Sequence, residues 1–152
     1  MEPTNGRRVV RALEVVELTG SFSATLPARE YVDAHTVQVG LDCPRPVLDQ
    51  RIEERVQRMW DAGLVDEVRR LEAQGLREGP TASRALGYQQ VLALLAGEVT
   101  EEEAVTSTVT GTRKFARRQD AWFRKDDRIV WVGHDDPARV ARALDGVGRT
   151  HG

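Results

Sequence analysis

Apolar residues recur at helical spacing along most of this 152-residue chain, and the pattern predicts a mostly helical protein. Leu48, Ile52, Val56 and Met59, for example, fall on one face of a predicted helix, and glycine or proline stands near most helix ends. The predicted helices span residues 5–19, 47–62, 64–74, 83–96, 100–125 and 138–144.

Two short segments have the pattern of strands. Residues 36–41 alternate apolar and polar positions, whereas residues 129–132 are wholly apolar, which is typical of a parallel strand buried on both faces. Two strands alone make a poor sheet. We therefore expect an α/β protein, mostly helical, whose parallel sheet is incomplete in this chain and continues in protein upstream.

The helix predicted at 100–125 changes character along its length. Thr100 and Glu103 form a capping-box pattern at its start. Residues 113–125 then carry six basic residues and one acid, whereas the rest of the chain has 16 basic and 23 acidic residues. This concentration of positive charge favours a polyanion site, and three interleaved aromatic residues could stack on bases. A solvated basic face, with the aromatics in the core, is the alternative.

Two other features are locally unfavourable and hint at a ligand. Arg7, Arg8 and Arg11 stand in the first turns of the first helix, where cations oppose the helix dipole. Gly87 falls inside the helix predicted at 83–96, where glycine costs about 1 kcal/mol relative to alanine. A bound anion would explain the arginines, and so would simple exposure to water. The glycine requires either tight packing or a close ligand.

Composition excludes several classes of site. The single cysteine, Cys43, excludes an internal disulfide and a cysteine-based metal cluster, and the three histidines have no metal-ligand spacing. No apolar run is long enough to cross a bilayer, and the N-terminus lacks a signal-peptide pattern. We expect a cytoplasmic protein with no membrane association and no metal site in this chain.

Four stretches of the sequence carry a further signal. They are RRVVRALE with ELTG within 7–20, DQRIEERVQRMWDAGLVDEVRRL from Asp49, RALGYQQ at 84–90, and TRKFARRQDAWFR at 112–124. In this order and spacing they resemble the C-terminal half of the tRNA dimethylallyltransferase (isopentenyl-diphosphate:tRNA transferase) family. The resemblance extends over residues 5–133.

The resemblance implies an activity and a fold. The family transfers a dimethylallyl group from dimethylallyl diphosphate to N6 of the adenosine next to the anticodon, position 37, in tRNA, with Mg²⁺. The target base must leave its stack to be reached. The implied fold is a P-loop-kinase-like core with a helical insertion, monomeric in the full-length enzyme. The expected domains are the end of the insertion and its return loop at 1–35, the C-terminal part of the core at 36–146, and a frayed tail at 147–152.

The resemblance also implies which residues bind the tRNA anticodon stem-loop, and they come from the three unusual stretches described above. They are Arg7, Arg8, Arg11, Arg84, Gly87, Tyr88, Gln89, Arg117, Arg118, Gln119, Trp122 and Arg124. Arg113 and Arg69 are expected to contact the diphosphate or another phosphate. Arginine suits these roles because its planar fork grips phosphate at two points and keeps its charge.

The chain departs from the family pattern where the chemistry would lie. It has no G-x-x-x-x-G-K-[ST] phosphate loop, and neither Lys114 nor Lys125 follows such an element. The family's catalytic aspartate belongs to the preceding half, and Asp42, Asp49 and Asp120 are at the wrong positions to replace it. We therefore expect no catalytic residue and no Mg²⁺ ligand here, and a chain that supplies tRNA-binding and site-closing residues but is inactive alone.

Two alternatives stay open at this point. The chain could be a non-catalytic RNA-binding module or remnant, indifferent to dimethylallyl diphosphate. It could also be an interaction or lid fragment of another P-loop kinase, whose basic helix is only surface.

Overall fold

The computed structural model describes residues 6–21, 33 and 36–148, and the chain divides into two units, Met1–Val32 and Asp33–Gly152. In the first unit, α1 spans Gly6–Thr19, in agreement with the predicted helix, and ends at Gly20, which has a positive φ of 76°. Four large apolar side chains of α1 are exposed, namely Val10, Leu13, Val16 and Leu18. Asn5, which the sequence predicts as the cap of this helix, and most of residues 21–34, which its polar and turn-forming composition predicts as a loop, lie outside the described residues.

The second unit contains a sheet of two parallel strands, β1 (Val39–Asp42) and β2 (Val130–Gly133). Val39 lies opposite Val130 in the register, and Asp42 lies opposite Gly133. The parallel pairing confirms the prediction. The burial of β2 on both faces does not hold, because Val130 is 45% exposed and Val132 alone is fully buried in that strand.

Four helices form the core of the second unit. They are α2 (Arg45–Asp61), α3 (Leu64–Glu72), α4 (Tyr88–Leu95) and α5 (Glu101–Phe123). Their buried apolar faces form one cluster, in which Val68 and Val91 are completely inaccessible to solvent. The four helices contribute Ile52, Val56, Trp60, Leu64, Val68, Val91, Leu92, Ala104 and Val109, and a short 3₁₀ helix, Leu76–Glu78, adds Leu76.

The segment before α4 differs from the prediction. A continuous helix from Ser83 was expected, but the chain forms a 3₁₀ turn at Ala82–Arg84 and begins α4 at Tyr88. Gly87 separates the two with a φ of +95°, which a residue with a β-carbon rarely adopts. This glycine is therefore outside the helix, and its conformation explains its presence.

The two halves of α5 have different surroundings. Its start is capped as predicted: the Glu103 N–H donates to the Thr100 hydroxyl at 3.2 Å, and the Thr100 N–H donates to the Glu103 carboxylate at 2.8 Å. The first half packs in the core through Ala104 and Val109. Helical spacing predicts Val105, Val109, Ala116, Gln119 and Phe123 on one face, but Gln119 and Phe123 are exposed. The last helix, α6 (Arg139–Gly148), contacts β2 and continues four residues beyond its predicted end at Leu144.

Candidate nucleic-acid interface

The second half of α5 presents three cations on its outer side. Lys114, Arg117 and Arg118 are spaced three and four residues apart, so they lie on one face of the helix. All three are exposed, and no ion pair joins any of them to a described residue. We call these three residues the basic stripe. Their positive charge is not neutralised within the part of the chain that the structure describes, which suits contact with a polyanion.

Exposed aromatic side chains flank the basic stripe. Trp122 is 67% exposed and Phe115 is 44% exposed, and the Arg118 guanidinium lies 5.9 Å from the centre of the Phe115 ring. A large exposed indole beside arginines is costly in water but is the type of surface on which RNA bases stack.

Arg113 faces the other way, toward α2. Its Nη2 donates to the Asp49 carbonyl at 3.1 Å and to the Glu53 carboxylate at 2.8 Å. Arg45 in turn donates to the Arg113 carbonyl at 2.8 Å. In this structure Arg113 therefore joins α5 to α2, and its predicted phosphate contact stays a prediction. Arg69, the other predicted phosphate contact, pairs with Asp66 on the exposed side of α3.

Arg124 ties the end of α5 to the sheet. It donates to the carboxylates of Asp42 and Asp120, and its guanidinium stacks 3.9 Å from the centre of the Trp131 ring. Stacking and two acidic partners together fix this side chain. Arg124 is therefore held by the protein itself, unlike the residues of the basic stripe.

The stretch 84–89 contacts α5 at one close point. A β-carbon on Gly111 would lie 2.7 Å from Leu86 Cδ2, so the glycine allows Leu86 to approach the helix backbone. Arg84 and Gln89 are exposed. The stretch 84–89 thus contacts α5 at Gly111, six residues before the predicted tRNA-binding residues of that helix begin at Arg117.

Two side chains hold the turn at Gly87 in place. The Tyr88 hydroxyl donates to Glu67 on α3, and the Gly87 N–H donates to the Gln90 side-chain oxygen at 2.9 Å. The hydrogen bond to Glu67, with some burial, raises the pKa of Tyr88 above its usual range. Tyr88 therefore anchors this turn to α3, whereas the sequence analysis assigned it to tRNA.

A groove of about 470 Å³ runs between α4 and α5 and reaches the basic stripe at Lys114. Its walls carry hydroxyl and amide groups, which in other proteins contact phosphate and sugar oxygens. Glu102 and Glu103 close its far end with negative charge. The polar lining comes from Gln90, Thr106, Ser107 and Thr110. None of these residues was predicted from the sequence. The one sequence feature that indicates a close approach to this helix is Gly111, because glycine is unfavourable in the middle of a helix.

The first predicted stretch lies on α1, in the separate first unit. Arg7 is exposed, and Arg11 pairs with Glu14 at 3.1 Å. The side chain of Arg8 lies outside the described part of the structure. The placement of these arginines relative to the basic stripe is not given by the structure, so their role in tRNA binding stays a prediction.

The described residues contain no group of three or more His, Cys, Asp or Glu side chains that could hold a metal ion. None of their helices is both long enough and apolar enough to span a bilayer.

Comparison with known proteins identifies the family. A family model described as IPP transferase matches residues 1–126. The chain belongs to the IPP transferase family. It is 67% identical over 132 residues to a tRNA dimethylallyltransferase of Streptomyces griseus, covering 86% of this chain and 42% of that protein. A tRNA dimethylallyltransferase of Thermobifida fusca is 63% identical over 144 residues, covering 93% of this chain and 44% of that protein.

Solved structures of IPP transferases show the same arrangement. A full-length tRNA isopentenylpyrophosphate transferase from Bacillus halodurans matches with a TM-score of 0.73 and 32% identity, covering 99% of this chain and 48% of that one. A Staphylococcus epidermidis enzyme of the same type matches with a TM-score of 0.69 and 26% identity, covering 99% of this chain and 50% of that one. This IPP transferase chain thus spans less than half the length of the two curated relatives described.

Proposed function

We propose that this chain is the C-terminal portion of a tRNA dimethylallyltransferase and that it holds the anticodon stem-loop of tRNA while a dimethylallyl group is transferred to N6 of adenosine 37. Family membership supports the reaction class, since the similar proteins named above are tRNA dimethylallyltransferases. The observation that carries the RNA-binding role is the basic stripe: three exposed cations without ion-pair partners among the described residues, beside an exposed tryptophan.

The groups on this surface have distinct tasks in the proposal. The basic stripe neutralises backbone phosphates, which sets affinity and its dependence on salt. Trp122 and Phe115 offer ring faces to unstacked bases, as single-stranded loops require. The groove between α4 and α5 continues the contact along the sugar-phosphate backbone. Tyr88 and Gln90 keep the turn at Gly87 in the conformation that presents Arg84 and Gln89.

The proposal leaves the transfer chemistry to groups that this sequence does not contain. Dimethylallyl diphosphate is the proposed donor, and Mg²⁺ the proposed cofactor, both from the family resemblance. The described residues do not fit a magnesium site, so no step of the mechanism is assigned to the metal in this chain. The proposed location is the cytoplasm, and the full-length protein is proposed to be a monomer.

We also propose that the two strands belong to a larger parallel, P-loop-kinase-like sheet. In the described part of the chain each strand has a single neighbour. Val39 and Leu41 are exposed, and a hollow of about 460 Å³ lined by Val39, Leu41, Phe123 and Trp131 lies against the sheet. Parallel sheets in α/β proteins are normally covered on both faces, so this apolar surface suits further protein.

Fluorescence anisotropy with a labelled anticodon stem-loop tests the RNA-binding role. We expect the double variant Arg117→Gln/Arg118→Gln to bind about tenfold more weakly or worse, because two charge-assisted phosphate contacts are lost. The slope of log K against log salt should become shallower by about 0.7 to 0.9 for each phosphate contact removed.

The matched control is Arg70→Gln, which removes an exposed cation from α3 with no ion pair to a described residue. Its affinity should stay close to that of the wild type. Equal effects of Arg70→Gln and of the double variant would show that only net charge matters and would reject a specific surface. Stem-loop binding without any family activity in the full-length protein would favour the non-catalytic RNA-binding module.

A further inference from the structure

Two arginines hold α5 against α2, and each binds the main chain of the other's helix. Arg113 on α5 donates from Nη2 to the Asp49 carbonyl of α2 at 3.1 Å. Arg45 on α2 donates from Nη2 to the Arg113 carbonyl of α5 at 2.8 Å. We call this reciprocal pair of hydrogen bonds the arginine clasp. Because both acceptors are main-chain atoms, the clasp fixes the position of one helix along and around the other.

Two carboxylates of α2 neutralise the arginine clasp. The Asp49 carboxylate forms an ion pair with Arg45 Nη2 at 2.8 Å, without hydrogen-bond geometry, and Glu53 accepts a hydrogen bond from Arg113 at 2.8 Å. The Nε atoms of both arginines are buried without an acceptor among the described residues, which is costly. Partly buried ionic clusters add little net stability compared with apolar packing. The clasp is therefore better explained by the position it gives α5 than by stability.

The second half of α5 depends on such polar contacts for its position. The last fully buried core residue of this helix is Val109, and beyond it Ala116 packs against the described core only in part. Apolar packing therefore holds the first half of α5, whereas the arginine clasp at Arg113 and the contacts of Arg124 with the sheet hold the second half. The basic stripe and Trp122 lie between these two anchors.

The arginine clasp acts directly on the turn that carries the basic stripe. In an α-helix the carbonyl of residue 113 accepts the N–H of residue 117, four positions later. Arg45 therefore binds the same carbonyl oxygen to which the main chain of Arg117 is hydrogen-bonded. A displacement of this carbonyl would also displace Arg117.

We propose that Arg45 is a positioning residue for RNA binding, which fixes the turn of α5 that carries Arg117 and makes no contact with RNA itself. This inference rests on the proposed function, in which the basic stripe binds the tRNA backbone. A side chain on a helix held in its bound position loses less conformational freedom when it binds, so the clasp raises affinity without adding a contact.

A double-mutant cycle tests the inference, with binding of a labelled anticodon stem-loop to the full 152-residue chain measured by fluorescence anisotropy. Arg45→Met removes the donors and keeps an unbranched side chain. We expect it to weaken binding about fivefold, which is within the usual coupling between neighbouring residues. The slope of log K against log salt should stay unchanged, because no phosphate contact is lost. Arg117→Gln should weaken binding and make that slope shallower.

The double variant Arg45→Met/Arg117→Gln distinguishes positioning from a general structural role. If Arg45 acts through Arg117, the double variant should lose much less affinity than the product of the two single losses. The matched control is Arg55→Met, which removes an exposed cation of α2 with no hydrogen bond or ion pair to a described residue and should bind like the wild type. Arg45→Lys keeps a charged donor and should recover part of the affinity, and it replaces Arg45→Met in the cycle if that variant does not fold.

Three results would overturn the inference. A shallower salt slope in Arg45→Met would show that Arg45 contacts phosphate directly. Single losses that multiply in the double variant would show that Arg45 and Arg117 act independently. If Arg45→Met binds like Arg55→Met while Arg117→Gln binds weakly, this inference fails and the proposed function stands. If Arg117→Gln itself keeps the affinity and the slope of the wild type, the proposed function fails and this inference with it.

Discussion

Gly40 allows the C-terminal end of α5 to be held against the sheet. A β-carbon at this position would lie 2.6 Å from two ring atoms of Trp131, so the indole ring can cover β1 only because residue 40 is glycine. The same ring carries the Arg124 guanidinium on it at 3.9 Å. Gly40, Trp131 and Arg124 therefore form one stack that fixes the end of α5 against the sheet.

Replacing Gly40 with alanine should disturb this stack. We expect Gly40→Ala to lower the free energy of unfolding by about 1–3 kcal/mol, because the ring must move to admit the methyl group. Urea unfolding followed by tryptophan fluorescence, to which Trp60, Trp122 and Trp131 all contribute, measures the stability. Gln38→Ala, at an exposed position just before β1, is the control and should change stability little. An unchanged Gly40→Ala protein would contradict the described packing.

At the scale of elements, the helices were predictable because their signals are local. The capping box at Thr100, the amphipathic faces of α2 and α3, and the glycines that end helices all depend on residues within a few positions of each other. The prediction of a helix starting at Ser83 was wrong because the sequence does not show whether a glycine inside an apolar run has a positive or a negative φ angle. The prediction that β2 is buried on both faces was wrong because burial depends on neighbours that are distant in the sequence, and a pattern of apolar residues does not identify them.

The residues of the candidate site were predictable only in part, because contacts between distant elements cannot be deduced from local sequence patterns. The charge on α5 can be deduced from composition, so Arg117, Arg118 and Trp122 could be proposed as site residues from the sequence, and their contact with tRNA stays a prediction. Which arginines are already paired depends on contacts between elements: Arg113 is held by Glu53 from 60 positions earlier, and Arg124 by Asp42 from 82 positions earlier. The groove between α4 and α5 likewise combines residues that are distant in the sequence, since Gln90 lines it together with Thr106 and Thr110.

The cap of α5 should make stability depend on pH. The Thr100 backbone N–H, followed by its hydroxyl, lowers the pKa of Glu103 below its ordinary value of 4.5. A carboxylate with a lowered pKa stabilises the folded state above its unfolded pKa, and this contribution is lost as the pH falls through the folded value. We expect Thr100→Ala to cost about 1 kcal/mol near neutral pH, and part of that cost to disappear below about pH 4. Unfolding curves for both proteins at several pH values measure it, and a difference that does not change with pH would contradict the hydrogen bond that the Thr100 hydroxyl donates to the Glu103 carboxylate at 3.0 Å.

For the whole molecule, the exposed apolar surface of the sheet and the greater length of the relatives both support the proposal that further protein packs against this chain. The chain covers 44% of its Thermobifida fusca relative, and its sheet shows two strands with exposed apolar side chains in the described residues. A sheet of this size is normally part of a larger one. This surface, beside Val39 and Leu41, is where we propose that further protein packs.

Mixing this chain with the remaining part of the Thermobifida fusca protein tests whether further protein packs on this apolar surface. We expect a one-to-one complex on size-exclusion chromatography and dimethylallyl transfer to tRNA in the mixture, with none from this chain alone. Leu41→Asp, at an exposed position of β1, should weaken the complex because it places a charge in the apolar contact. Asp61→Ala at the end of α2 is a control for surface changes elsewhere. A complex that is equally strong with Leu41→Asp would place the contact on another surface.

Hydrogen–deuterium exchange of the chain with and without an anticodon stem-loop tests the proposal that tRNA lies along the second half of α5. We expect slower exchange in residues 84–90 and 110–125, with little change in α2 or α6. Protection confined to other regions, or no localised protection at a stem-loop concentration that saturates binding, would contradict it.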